Sequence, residues 1–196
     1  MTDLYLASAS PRRRELLVQI DVTFEIVSAP IDETPFAGET PTDYVLRLAV
    51  AKAKAGWQAA VDQGKPALPT LGSDTTVALG TQLLGKPTDA ADATEMLRQL
   101  SGTTHEVLTG VALVDGEQVD SVVSLSHVTF ATLTEAQIAA YVATGEPMDK
   151  AGSYGIQGHG GLFVQHLSGS FTGVVGLPLH ETALLLARAG LGFLAR

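Results

Sequence analysis

The sequence predicts an α/β fold in which a mixed sheet is flanked by helices, and three observations carry that prediction. An apolar run at residues 4–7 breaks through Ser8 into a helix start at Ser10-Pro11. Two long runs, 105–115 and 118–131, alternate Val and Leu with Ser, Thr and Asp, and they meet at Asp115-Gly116, a strong hairpin signal. Capped helical segments lie between the strand-like ones.

In chain order, residues 4–7 read as a buried strand. Ser10 is placed as a helix N-cap, with Pro11 at the first helical position, where its missing N–H costs nothing. Residues 23–27 form a strand and 28–39 a loop punctuated by Pro and Gly that carries Asp32-Glu33. Thr40-Pro41 opens a helix running to about residue 61. At roughly 100° per residue from Tyr44, its apolar stripe holds Ala55, Leu48, Ala59 and Val45, and Lys52 falls inside it while Arg47 and Lys54 fall opposite. A lysine there must snorkel, pair or line a polar cleft.

Residues 68–79 read as strand interrupted at Gly72-Ser73-Asp74, with Asp74 either capping a local turn or presented into a cleft. Gly85-Lys86-Pro87 places a lysine in a loop, and a helix follows to Leu100, capped by Thr88 and ended by Gly102. The two alternating runs predict antiparallel strands with one covered face. Thr134 begins a helix with Ile138 and Val142 on its apolar side. Residues 145–161 hold six glycines in 17 positions, which excludes a regular helix or strand and lets backbone approach a ligand closely. Residues 162–167 and 171–175 read as final strands and 178–189 as the closing helix. With no repeat and no low-complexity linker, residues 1–196 are expected to form one domain.

Arg12, Arg13 and Arg14 sit in the first helical turn, where the macrodipole favours acids. With the Ser8 and Ser10 hydroxyls and free backbone N–H groups they would cradle a phosphate, although a solvated basic turn shows the same pattern. The net charge of −9, with only 12 Lys and Arg, argues against a nucleic-acid binder and suits a small polyanion better than a polymer. There is no cysteine, which excludes disulfides, thiolate catalysis and cysteine-zinc sites. Apolar runs stop well short of the roughly 18 residues of a membrane span. Asp3 and the arginines interrupt any signal-peptide pattern, so a cytoplasmic protein is expected.

The serines lack a G-x-S-x-G elbow, the five histidines lack metal-ligand spacing, and the glycine-rich segment fits neither nucleotide fingerprint. What remains is a set of charges in loops and on inward faces. Arg12, Arg13, Lys52 and Lys86 are the cations, and Glu33 and Asp74 the carboxylates. Hydrolysis along a nucleotide's phosphate chain needs this mixture, and the oxygen donors suit Mg²⁺ or Mn²⁺.

The segments S-A-S-P-R-R at 8–13, S-D-T at 73–75, G-K-P at 85–87, G-E-P-M-D-K-A-G-S-Y-G-I-Q-G at 145–158 and V-G-L-P at 175–178 closely resemble the Maf-like nucleoside triphosphate pyrophosphatases, in the same order along nearly the whole chain. The resemblance implies an elongated mixed α/β fold akin to the inosine triphosphatase type, with two lobes around a central cleft. It also implies a divalent cation, Mg or Mn, assisting cleavage of a nucleoside triphosphate to monophosphate and pyrophosphate. Carried across, Asp74 is the proton acceptor, Ser8, Arg13, Lys52 and Lys86 contact phosphates, and Glu33 joins Asp74 as a metal or water ligand. The positions that separate the family's branches read Arg12, Thr75 and Gln157, resembling the branch that acts on dTTP and UTP and not the branch acting on 7-methyl-GTP. An amide at Gln157 offers both an acceptor and a donor to a pyrimidine edge. The family's association with septum formation leaves a nucleotide-binding regulator without turnover as the alternative, and a homodimer is left open.

Overall fold

The computed structural model describes residues 2–27 and 29–192. Ser28, the first residue of the predicted loop, lies outside the described residues. One seven-stranded sheet is built from β1 (Leu4–Leu6), β2 (Phe24–Ile26), β3 (Thr70–Leu79), β4 (Gln82–Leu84), β5 (Thr104–Asp115), β6 (Gln118–Phe130) and β7 (Val164–Ser168). Around it lie α1 (Pro11–Gln19), α2 (Pro41–Asp62), α3 (Ala90–Leu100), α4 (Glu135–Val142), α5 (Phe171–Val175) and α6 (Leu179–Arg188). No helix among the described residues is long and apolar enough to cross a membrane.

The strand order is β2-β1-β3-β5-β6-β7, with β4 on β3. β1 runs parallel to both β2 and β3, and the remaining pairings are antiparallel, so the sheet is mixed. Because β2 lies on one side of β1 and β3 on the other, the chain reverses direction across the sheet at β1, and a crevice opens beyond the carboxyl end of such a strand. β1 meets β3 only at Thr70 and Leu71, and β4 covers only Val77, Ala78 and Leu79. Residues 72–76 therefore have no strand partner on that side among the described residues.

β3 runs unbroken through Gly72-Ser73-Asp74, where the sequence suggested an interruption. Gly72 serves the packing of α2 instead. A Cβ at Gly72 would stand 2.4 Å from the Ala49 carbonyl oxygen, and one at Gly110, on β5, 2.4 Å from that of Val45. The two glycines let α2 lie directly on the sheet through Ala49 and Ala53, against Ala112 and Val114. The buried face of α2 is correspondingly rotated from the predicted stripe: Ala49, Ala53, Gly56 and Ala60 join Val45 and Leu48, while Ala55 and Ala59 are half-buried. Lys52 stays at the edge of that face.

The opposite face of the sheet carries two apolar clusters. Leu4, Leu6 and Leu71 pack with Leu16 and Leu17 of α1 and Leu185 and Leu186 of α6. Val77, Leu84 and Phe130 pack with Leu97 of α3 and Ile138 of α4. These are the cores of two lobes, and β5, bearing Val111 in the first and Val107 in the second, joins them. β5 is thus covered on both faces, where one covered face was expected, because helices lie on both sides of the sheet.

Three local expectations are corrected. Residues 171–175 form a short helix, not a strand, because the Ser170 hydroxyl accepts from the Gly173 N–H at 2.9 Å and caps a helical turn. A five-residue apolar run has no period that decides between the two. Asp89, not Thr88, caps α3 by accepting from the Asp92 N–H. Ser10 occupies the cap position of α1, but its hydroxyl makes no capping bond. In α4 the Thr134 and Gln137 side chains form a reciprocal capping box.

Candidate active site

The gap along β3 opens into a cleft of about 960 Å³. Ser8, Arg12, Arg13, Glu33, Lys52, Asp74, Thr75, Lys86 and Gln157 all line it, so the residues carried over by the family resemblance come to one hollow, and Arg14 of the arginine triplet does not. On one side stand the β1–α1 turn and the loop before α2. On the other stand the Gly85-Lys86 loop and the glycine-rich segment, joined where the Gly152 N–H donates to the Gly85 carbonyl at 3.1 Å.

Asp74 is at the floor. Its carboxylate accepts from Lys52 Nζ at 2.6 Å, and the same Nζ lies 2.7 Å from Glu33 Oε1. The side chains of Asp74 and Lys52 are 12% and 17% exposed, against 54% for Glu33, so the pair is sunk and Glu33 approaches from solvent. Burial pushes the Asp74 carboxyl above its ordinary value, and the charges of Lys52 and Arg13 pull it back only in part. Lys52 thus pairs inside the cleft, one of the outcomes its place on α2 allowed. Tyr44 steadies the Glu33 loop by donating its hydroxyl to the Glu33 carbonyl at 3.0 Å.

The three arginines diverge. Arg13 turns inward, where its Nε donates to the Gly176 carbonyl at 2.8 Å, Nη1 to the Ser8 hydroxyl at 3.0 Å and Nη2 to the Thr75 hydroxyl at 3.3 Å. Burial lowers its pKa from the usual value and the nearby Asp74 charge opposes that shift. Gly176 holds its carbonyl there at φ 134°, a left-handed conformation that favours glycine. Arg12 bridges the cleft to Asp149 at 3.1 Å, and Asp149 also pairs with Lys150. Arg14 is exposed. Lys86 is exposed at the rim, with no hydrogen bond or ion pair among the described residues, and Gln157 is exposed in the cleft as well.

A divalent cation has two hard oxygen donors available here, the carboxylates that share Lys52 Nζ. Among the described residues no group of three or more His, Asp or Glu converges as a metal cage. Two carboxylates, with waters and substrate phosphate oxygens completing the shell, is the usual protein contribution to a Mg²⁺ site, so Glu33 and Asp74 fit the ion.

Sequence reasoning missed Glu146. Its carboxylate accepts from the Tyr141 hydroxyl at 2.9 Å, the Gly160 N–H at 3.1 Å and the His159 N–H at 3.0 Å, and His159 Nδ1 is 2.9 Å away. A Cβ at Gly158 would stand 2.5 Å from that carboxylate, so the glycines make room for the acid that gathers them. That was the available signal: glycines so dense imply something held against the backbone. Burial works against ionisation of Glu146, but the N–H groups of Gly160 and His159, the His159 ring and the Tyr141 hydroxyl together bring its pKa down to about 2. A depressed carboxylate stabilises the fold above its unfolded value and loses that effect as pH falls toward the folded one. Glu146→Gln is therefore expected to lower Tm at neutral pH, with the deficit shrinking between pH about 4.5 and about 2. Thermal unfolding of both proteins across that range checks this, and a deficit independent of pH would contradict it.

His105, one of the five histidines without metal-ligand spacing, belongs to the core. It is fully buried against Phe130 and Tyr154, with Nε2 2.8 Å from the Tyr154 hydroxyl, and burial pushes its pKa down to about 4.

Fold and cleft together define a mixed α/β protein whose site gathers cations around a buried carboxylate, the arrangement suited to a small phosphorylated ligand. Residues 3–189 match the family model described as Maf-like protein, and the chain belongs to that family. Curated relatives named dTTP/UTP pyrophosphatase include one from Chromobacterium violaceum, 51% identical with 96% of each chain covered. Others are from Pseudoalteromonas atlantica, 55% identical over 96% of this chain and 97% of that one, and Escherichia coli, 54% identical over 95% and 93%. A solved structure, that of the Staphylococcus aureus Ham1 protein, aligns with a TM-score of 0.45 at 12% identity, over 65% of this chain and 71% of that one.

Proposed function

We propose that this protein is a nucleoside triphosphate pyrophosphatase that hydrolyses dTTP and UTP, and modified pyrimidine nucleotides with them, to the monophosphate and pyrophosphate. The observation that carries the reading is the sunken Asp74 carboxylate, held by Lys52 at 2.6 Å in the cleft where Arg13 and Lys86 converge. The names of the relatives support the substrate class.

Ser8, Arg13, Lys52 and Lys86 grip the triphosphate, with Lys86, which has no partner among the described residues, free to close on it. Asp74 accepts a proton from a water whose oxygen attacks the α-phosphorus. The bond from that phosphorus to the bridging oxygen breaks, and pyrophosphate leaves. A carboxylate whose pKa is raised by burial is a stronger base than an ordinary aspartate. Glu33 and Asp74 would hold a divalent ion, which when bound would neutralise charge on the phosphates. Arg12 and Gln157 face the base end, where the Gln157 amide offers donor and acceptor to a pyrimidine edge.

The test is turnover of a panel of nucleoside triphosphates with Mg²⁺ or Mn²⁺ and identification of the products. dTTP and UTP are expected to exceed ATP and GTP, with pyrophosphate as the first product. Orthophosphate as the first product would move scission to the γ-phosphate and reject the reading. Binding without turnover would leave a nucleotide-binding regulator of division or septum formation.

A further inference from the structure

Between the two apolar clusters on one face of the sheet runs a polar seam formed by Ser73, Thr75 and Thr109, and Arg13 lies at its open end. The Thr109 hydroxyl is 2.7 Å from the Gly173 carbonyl and 2.9 Å from the Thr75 hydroxyl, and Thr109 is fully buried. A carbonyl can only accept, so Thr109 spends its single proton on Gly173 and must accept from Thr75. Thr75 in turn spends its only proton on Thr109 and receives Arg13 Nη2 on a lone pair. The bonds therefore run in one direction, from Arg13 through Thr75 and Thr109 to Gly173, and the Thr75 hydroxyl has no proton left to donate to a nucleotide.

We propose that Thr109, which does not line the cleft, is a positioning residue that acts through Thr75 to fix the Arg13 guanidinium for the phosphates. Thr75 contributes by holding that arginine, not by donating to the base. Directed chains of this kind polarise each member, and a charged donor at the head strengthens them. Two of the three protein acceptors of Arg13 are immovable by rotamer change: the Gly176 carbonyl is backbone, and Thr75 is tied to Thr109. Removing Thr109's hydroxyl frees Thr75 to rotate and releases one edge of the guanidinium fork. Since this rests on the pyrophosphatase reading, its test includes a measurement that needs no substrate.

Thr109→Val, close in shape but unable to donate or accept, is expected to lower kcat/KM for dTTP and UTP by about 10- to 100-fold, the cost of misplacing a positioning group. Thr109→Ser restores most of it. Because Thr75 and Thr109 lie on one chain, the double variant Thr75→Val/Thr109→Val should lose no more than Thr75→Val alone. In ¹⁵N-labelled protein without nucleotide, the Arg13 Nε–Hε resonance should move in Thr109→Val and return in Thr109→Ser. Should Thr109→Val not fold, Thr75→Val with the serine variants at both positions breaks and rebuilds the same link. Additive losses in the double variant, an unmoved resonance, or unchanged kcat/KM in a folded Thr109→Val would each overturn the proposal. An unaltered protein that cleaves no nucleoside triphosphate would instead reject the activity, and the resonance would still report on the chain of bonds.

Discussion

Asp74→Asn is expected to reduce kcat by roughly 10²- to 10⁴-fold, the usual span for loss of a general base. Nucleotide binding should survive. The asparagine amide oxygen can still accept from Lys52 Nζ, which also keeps Glu33 as a partner, so the cleft's shape and its cations stay in place. Single-turnover rates and calorimetric binding of dTTP separate the two effects. The pH profile gives an independent check. Because burial raises the Asp74 pKa, activity should fall as pH drops through a value above the ordinary 3.8, since a protonated carboxyl cannot accept the water's proton. A raised folded value also means that the folded chain binds this proton more tightly than the unfolded one, so the stability tied to it is lost as pH rises. The neutral amide escapes that penalty, and the Tm of Asp74→Asn at pH 7 should equal or exceed that of the unaltered protein. A lower Tm together with lost binding would make Asp74 a structural residue.

Gly72→Ala is expected to destabilise the fold by about 3 kcal/mol, the upper part of the range for overpacking. The added methyl would stand 2.4 Å from the Ala49 carbonyl oxygen and 2.5 Å from the Ala53 nitrogen. Both are helix backbone and cannot turn aside as a side chain would, so α2 must lift away from the sheet. For a chain of this length the Tm should fall by roughly 6–12 °C. Lys52 lies one residue before Ala53 on that helix, so its ammonium would leave Asp74, and turnover should drop in molecules that remain folded. Gly80→Ala, at a turn where a Cβ meets nothing within 4 Å, is a suitable comparison for the packing effect, although its φ of 60° brings a smaller conformational strain. Equal Tm losses at the two positions would remove the packing argument.

Much of this molecule was legible in the linear chain. Ser10-Pro11, Thr40-Pro41 and Thr134 mark helix starts because capping and proline preferences act over three or four residues. The hairpin at Asp115-Gly116 was legible for the same reason, since a turn's backbone requirements are local. The charges likewise stood out in the sequence: three arginines at the wrong pole of a helix and a lysine on an apolar stripe are local anomalies that ask for a partner.

Local signals misled where the deciding neighbour came from elsewhere. Gly72 looked like a break in a strand, yet the reason for glycine there is a helix some twenty residues earlier. Residues 171–175 carried no period, and Ser170 decided them. Glu146 gave no sign of its role, because its partners at 159 and 160 reach it only when the glycine-rich segment folds back.

By itself, then, the sequence determined most of the elements, the starts of several helices and the identity of the unusual charges, all of which depend on interactions within a turn or two. Only the tertiary structure decided that β1 and β4 leave residues 72–76 uncovered between them, that Lys52 reaches Asp74, and that Thr109 supports Arg13 from within the core. Those side-chain contacts join residues 22 to 62 positions apart, and hydrogen bonds and ion pairs at a few ångströms are set by how helices and strands stack, which no short window of sequence contains.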